Sequence, residues 1–413
     1  MTSRERVLAA LDHKPTDRVP VDFGGHRSSG IMALAYAKLV RALGLPARPI
    51  RVYDVVQQLA VIDDDVLDRL GVDVVEMGRG FGGSAADWKE WVLPDGTPCL
   101  VPSWVDLRLE GGDWWLYNSQ GRRAGLQKKG SLYFEQVWWP YAEGIPQDLS
   151  GLEEAAASHQ WSTATPPNLA ATDLDALARG ARAFRASTDR AIIFLFGGSL
   201  YELSQYLCGT ENFLVWLGTE PEAVHRLLDA IVESHLAGLR RLLPVVGPFV
   251  DIVLFGDDFG MQTGLQMSPT MYREFFKERE RILWGEAKRL AGIKTQLHCC
   301  GGVRDILGDF IEVGLDSINP VQTSCAGMEP AALKRDFGAG ITFWGGGCDT
   351  QNVLMLASPG EVRAHVLGRL PIMDAGSGFV FQQIHNVMAN VPPENVLAMF
   401  GAVAEYNRRR EAR

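Results

Sequence analysis

His298, Cys299 and Cys300 follow one another at the end of an apolar run, and Gly301-Gly302 comes directly after them. On a strand, residues i and i+2 share a face, so His298 and Cys300 project together while Cys299 turns away. An imidazole and a thiolate on one face make half of a tetrahedral zinc site. Cys348 and His385 lie further along the chain and compete for a third position. Zinc on two or three such ligands, with one position open, binds a thiol or hydroxyl and lowers its pKa toward neutrality. Cys99, Cys208, Cys299 and Cys325 read as residues that fill buried space.

Residues so far apart meet only where the fold gathers them. Eight β-rich runs, each leading into glycine or a polar loop and then a helical pattern, supply the means: 19–23, 72–77, 191–196, 251–255, 295–298, 316–320, 341–344 and 378–384. Amphipathic helices are expected over 222–243, 270–290, 303–313, 330–337 and 359–367. Repeated strand–helix alternation with nearly all-apolar strands predicts an α/β fold, a (β/α)8 TIM barrel spanning 1–413 as one domain. A doubly wound open sheet is the alternative, but no G-x-G-x-x-G fingerprint follows any run. Residues 87–141 break the rhythm. Strand-like stretches there alternate with turns such as Pro94-Asp95-Gly96, which predicts an antiparallel β insertion between strands 2 and 3, capping the barrel mouth. Its tryptophans (88, 91, 104, 114, 115, 138 and 139) either pack it onto the barrel or wall a site for a flat or methylated substrate. Residues 155–167 read as a short surface loop.

Barrel enzymes work just past the carboxyl ends of their strands. Those positions hold Asp22, Asp257, Asp258, His298, Cys300, Gln322, Cys348, Asp349, Gln383 and His385. Adjacent Asp257 and Asp258 suit proton transfer or the grip of a cationic substrate, and equally the capping of the next helix.

The 413 residues carry 40 basic and 50 acidic side chains, a net charge of -10 with no dense basic run, which argues against nucleic acid and anionic membranes as partners. No apolar stretch approaches the ~20 residues needed to span a bilayer, and residues 2–18 are too polar for a secretory leader. Six scattered cysteines are too few for a disulfide framework in a chain this long, so a reducing cytoplasm is the expected setting. Apolar helix faces on a barrel make a homodimer an expectation too.

The chain resembles the uroporphyrinogen decarboxylase superfamily over nearly its whole length. The resemblance is carried by Asp17-Arg18-Val19-Pro20, Gly256-Asp257-Asp258-Phe259-Gly260, Met267-Ser268-Pro269, Tyr272-Arg273, His298-Cys299-Cys300-Gly301, Asn319-Pro320-Val321-Gln322, Gly346-Gly347-Cys348-Asp349 and Val391-Pro392-Pro393-Glu394-Asn395. It implies a (β/α)8 barrel. The tetrapyrrole decarboxylases of that family carry Arg-Gln-Ala-Gly-Arg after the first strand. Here the stretch reads Phe23-Gly24-Gly25-His26-Arg27-Ser28, with one arginine. The corrinoid-dependent methyltransferase branch is similar in its His-x-Cys pair, which His298 and Cys300 match. Its C-terminal cysteine would fall seven residues before Pro392, where this chain has His385. Either His385 or Cys348 then completes the metal site, or no stable zinc binds. The resemblance implies zinc-dependent transfer of a methyl group between a small methylated substrate or acceptor and a corrinoid (cobalamin) cofactor, in a demethylation pathway. Asp257 or Asp258 would handle a proton, and Asn319 and Gln322 would orient bound groups, with Asp22 and Gln383 beside them. This chain has no Asp-x-His-x-x-Gly motif, so a separate corrinoid-binding protein is implied as partner. The alternative is a metal-independent decarboxylase of a carboxylated substrate, with Asp258 and His385 as acid and base.

Overall fold

A computed structural model describes residues 1–80, 84–158 and 173–411. Seven parallel strands pair in chain order in one sheet: β1 (Val74–Glu76), β2 (Ala191–Gly197), β3 (Ile252–Gly256), β4 (Lys294–His298), β5 (Ser317–Asn319), β6 (Thr342–Trp344) and β7 (Phe379–Val380). The segment 19–23 joins its two edges. The Asp22 N–H donates to the Phe381 carbonyl and the Phe381 N–H to the Pro20 carbonyl, both at 2.8 Å. On the other side the Asp73 N–H donates to the Val21 carbonyl at 2.8 Å. The fold is therefore the TIM-barrel type, and each expected run contributes one segment to it.

The strands are short and apolar because both faces are buried. Ile193, Ile252, Leu254, Trp344 and Val380 pack with Val7, Ala10 and Leu11. The last three belong to α1 (Ser3–Leu11), which closes the end where the strands begin. A capping box between Thr2 and Glu5 starts this helix, satisfying amides that would otherwise be left without partners. The helix expected over 270–290 is observed in three pieces, Pro269–Tyr272, a π-helical turn Arg273–Lys277, and Glu278–Ala291. In that turn Phe275 and Phe276 are both buried, and Arg273 and Lys277 both reach Asp309.

Between β1 and β2 lie further strands. Trp88–Val92 pairs antiparallel with Pro98–Pro102, and Asp106–Glu110, Asp113–Tyr117, Arg123–Gln127 and Glu135–Gln136 form a second antiparallel sheet. The first of these sheets reaches outside 87–141. Cys99 and Leu100 pair in parallel with Ile50 and Arg51 of the strand Ile50–Asp54. Trp91 packs edge-on to Trp114 with centroids 5.5 Å apart, and Arg123 lies 4.1 Å over Trp115. These tryptophans are engaged in packing. Of 155–167, residues 155–158 belong to the helix Leu152–Ser158, and the rest lies outside the described residues. Among the described residues no helix is long and apolar enough to cross a membrane.

Candidate metal centre

His298 is the last residue of β4, and the loop that follows must pass close to the loop after β3. A Cβ on Gly301 would stand 2.2 Å from the Gly260 carbonyl carbon, and one on Gly260 would stand 2.6 Å from the Cys300 carbonyl oxygen. Only glycine permits this crossing, and Gly301 also holds φ +87°. Hydrogen bonds fix it. The Cys300 N–H donates to Asp258 Oδ1 at 2.7 Å, and the Gly301 N–H to Gln322 Oε1 at 3.0 Å. Cys299 turns into the core, where its sulfur accepts from the Phe259 N–H.

Cys300 faces the other way. Its Sγ lies 3.3 Å from His298 Nε2, and the ligand atoms of His298, Cys300 and His385 all fall within 4.8 Å of one another. His298 Nδ1 is 2.7 Å from Asn319 Oδ1, an acceptor that requires the ring proton on Nδ1 and leaves the Nε2 lone pair turned to the cluster. The Asn319 amide is fixed in turn, donating to the Trp344 carbonyl at 3.0 Å and to Gln382 Oε1 at 2.6 Å. Gln382 then donates to the Ser28 carbonyl at 3.0 Å, and Ser28 Oγ stands 3.2 Å from His298 Nε2. His385 holds φ +62°, a left-handed backbone that a non-glycine residue adopts at a cost of ~1–2 kcal/mol.

Burial pushes the Cys300 thiol well above its ordinary range, with Asp258 adding to the shift. Burial, then the neighbouring His298, pushes His385 down to about 4, so its imidazole is neutral at pH 7. Two imidazoles, that of His385 neutral, and a thiol that only a nearby cation would ionise are a donor set suited to zinc, with one coordination position left open.

The other expected site residues divide. Cys348 is not in the cluster. It is fully buried in the main core, its sulfur 3.9 Å from the Asp349 carbonyl, and burial pushes its thiol up to about 12. The third residue of the group that could hold a metal is His385. Asp257 also turns away, accepting the N–H groups of Leu200 at 2.7 Å and Glu202 at 2.8 Å, so it anchors the start of α2 (Tyr201–Cys208). Burial raises it to about 7. Asp258 faces the centre, 3.7 Å from His298 Nε2. Asp22 is buried beneath it, accepting from Trp344 Nε1 at 2.8 Å and the Gly25 N–H at 2.8 Å, and burial raises it to about 6. Gln383 donates to the Ser29 carbonyl at 2.9 Å. Gln322 holds the Gly301 loop and not the cluster itself.

Sequence reasoning missed Ser28, Gln382 and Glu202. Glu202 lies on the first turn of α2, five residues past β2 and so beyond the strand-end positions. Its one signal was the glycine pair Gly197-Gly198, which marks a close turn above that strand.

The model of the family described as uroporphyrinogen decarboxylase (URO-D) matches residues 136–406. A protein named uroporphyrinogen decarboxylase from Cellvibrio japonicus is 28% identical over 233 residues, 53% of this chain and 60% of that protein. One of the same name from Legionella pneumophila is 25% identical over 274 residues, 64% of this chain and 72% of its own length. The chain thus spans about 60% of the first relative. A solved structure described as a methyltransferase from Methanosarcina mazei aligns over 98% of this chain and 99% of its own, with TM-score 0.58 and 18% identity, a likeness of fold. The family match covers well over half of the chain, and the protein belongs to the uroporphyrinogen decarboxylase family.

Proposed function

We propose that this protein is a zinc-dependent methyltransferase that passes a methyl group between a small methylated compound and a corrinoid carried by a separate protein, in a demethylation pathway of the cytoplasm. The observation that carries the reading is the convergence of His298, Cys300 and His385 within 4.8 Å at the barrel mouth. The solved structure of like fold is itself described as a methyltransferase. Zinc, when bound, lowers the pKa of the heteroatom it holds. The protein's own part is positional. Asn319 sets the His298 tautomer, Asp258 and Gln322 hold the Cys300 loop, Gln382 links that network to Ser28, and Asp22 and Gln383 brace the floor and the Ser29 turn. Residues 87–141 cap one side of the mouth.

Purified protein is expected to hold one zinc per chain, lost in a His298→Ala, Cys300→Ser double variant that still folds. The relatives named as decarboxylases keep a second reading in play, a carboxy-lyase that needs no metal. Chelation separates the two: it stops methyl transfer and leaves a decarboxylase running.

A further inference from the structure

Glu202 has no role in holding the metal, yet its surroundings set it apart from the carboxyls of the surface. Asp257 pins the first turn of α2 by accepting its amides, which turns Glu202 toward the strand ends. Glu202 Oε1 accepts from the Tyr206 hydroxyl at 3.0 Å, one helical turn on. Oε2 accepts no hydrogen bond among the described residues. It stands 3.8 Å from the point where a Cβ on Gly256 would sit, and no other atom outside the neighbouring residues comes within 4 Å of that point. Gly256 is the register partner of His298 in the β3–β4 pair. One carboxyl oxygen is therefore held by tyrosine, while the other looks over an open space beside the metal-binding imidazole. The groups facing it are Asp258, Asp257, Tyr206 and Arg27. Arg27 is engaged by Asp54, with Nε 2.7 Å from the carboxylate.

We propose that Glu202, positioned by Tyr206, is the proton donor of this site, and that the methyl donor it serves is a small oxygen-methylated molecule. The assignment rests on the methyl-transfer reading. Burial, then the charges of Asp258 and Asp257, holds Glu202 well above the usual carboxylate range, which keeps a proton available. Asp258 is less suited, because its Oδ1 is occupied by the Cys300 amide. The choice of oxygen follows from the leaving group. A thiolate departs without a proton, and an amine leaves a methylammonium as a neutral molecule. An alkoxide or phenoxide needs an acid. In the step, the carbon–oxygen bond breaks with its electron pair on oxygen, and the reduced corrinoid supplies the pair for the new bond to carbon. The proton of Glu202 passes to the oxygen, and solvent returns a proton to the carboxylate.

The test uses the zinc-loaded full chain, free cob(I)alamin as acceptor, and methanol and 2-methoxyphenol as donors, with dimethyl sulfide and tetramethylammonium as comparisons. Wild type should take methyl from an oxygen donor. Glu202→Gln should keep its zinc and lose roughly 100-fold or more in rate, and Glu202→Asp should recover part of that loss. Tyr206→Phe should lose about tenfold in kcat with KM little changed. Independently of turnover, the infrared carbonyl band of a neutral carboxylic acid should appear in the wild-type minus Glu202→Gln difference spectrum at pH 7. Zinc is measured on the same samples, so a zinc-free wild type sinks the metal reading itself. Zinc-bound wild type that uses neither oxygen donor, or a zinc-bound Glu202→Gln variant that keeps the rate, overturns the assignment of Glu202.

Discussion

Asp73 and Asp251 stand just before β1 and β3, at the end of the barrel that α1 closes. Asp73 is completely buried and takes Arg6 and Arg18, each at 2.7 Å, while Asp251 takes Arg4 at 2.6 Å and Arg185 at 3.0 Å. At the opposite end, Asp22 and Asp257 are as deeply buried but are held by an indole, a hydroxyl and backbone amides, with no arginine in contact among the described residues. Both are raised by burial, to about 6 and about 7. Buried charge at one end is neutralised within the chain. At the other, Asp22 and Asp257 have no arginine partner among the described residues, and His298, Cys300 and His385 stand near them as a group that could take an added cation. The first end is built for stability and the second for binding, the division expected of barrels.

The comparison breaks most sharply at Asp73. Asp73→Ala leaves Arg6 and Arg18 without the carboxylate that joins them, and Arg6 is itself only 7% exposed. Asp17 still holds Arg6 at 2.6 Å, so a cost of about 3 kcal/mol, the low end for removing one partner of a buried pair, is expected by urea denaturation. Zinc binding per folded molecule should not change. A cost below about 1 kcal/mol would mean that this end is not the structural one.

A smaller effect probes the other end. Asn319→Ala removes the acceptor that fixes the His298 tautomer and leaves the three ligand side chains intact. Zinc affinity, measured by competition with a chromogenic chelator, should fall about 10–100-fold, the usual cost of losing a hydrogen-bond partner of a metal ligand. Unchanged affinity would show that His298 needs no support from Asn319.

How much of this was legible follows the same division. The barrel could be read because each strand announces itself locally, and so could the same-face pairing of His298 and Cys300, which needs only the two-residue period of a strand. That period also bears on Asp257 and Asp258. Past a strand end adjacent side chains diverge, and here Asp258 meets the Cys300 amide while Asp257 meets the start of α2. Adjacency alone therefore implies separate partners for these two acids. That His385 stands beside His298 and Cys300 while Cys348 does not has no such local sign, because it depends on how the loop after β6 carries the Cys348 sulfur into the core. Ser28 reaches His298 across 270 residues of sequence, and no local pattern encodes that contact. Short-range periodicity specifies the frame. Which polar groups meet over its open end is decided by loop paths that only tertiary packing sets.

The mildest perturbation, a change of pH, sharpens the comparison without a mutation. Ligation requires the Cys300 thiol to lose its proton, and burial beside Asp258 keeps that proton in place across the physiological range. His385 titrates near 4, so above about pH 5 it binds no proton that zinc must displace. Metal binding between pH 6 and 8 should therefore release about one proton from this pair, and affinity should rise about tenfold per pH unit, since a single linked proton gives unit slope. Calorimetry in buffers of different ionisation enthalpy counts the proton directly. In Cys300→Ala the weaker residual affinity should lose most of this slope. The paired acids at the closed end give no such signal, because their charges are already met by arginine. A zinc affinity flat across the range would mean that the thiol is not a ligand, and the contrast between the two ends would then need another explanation.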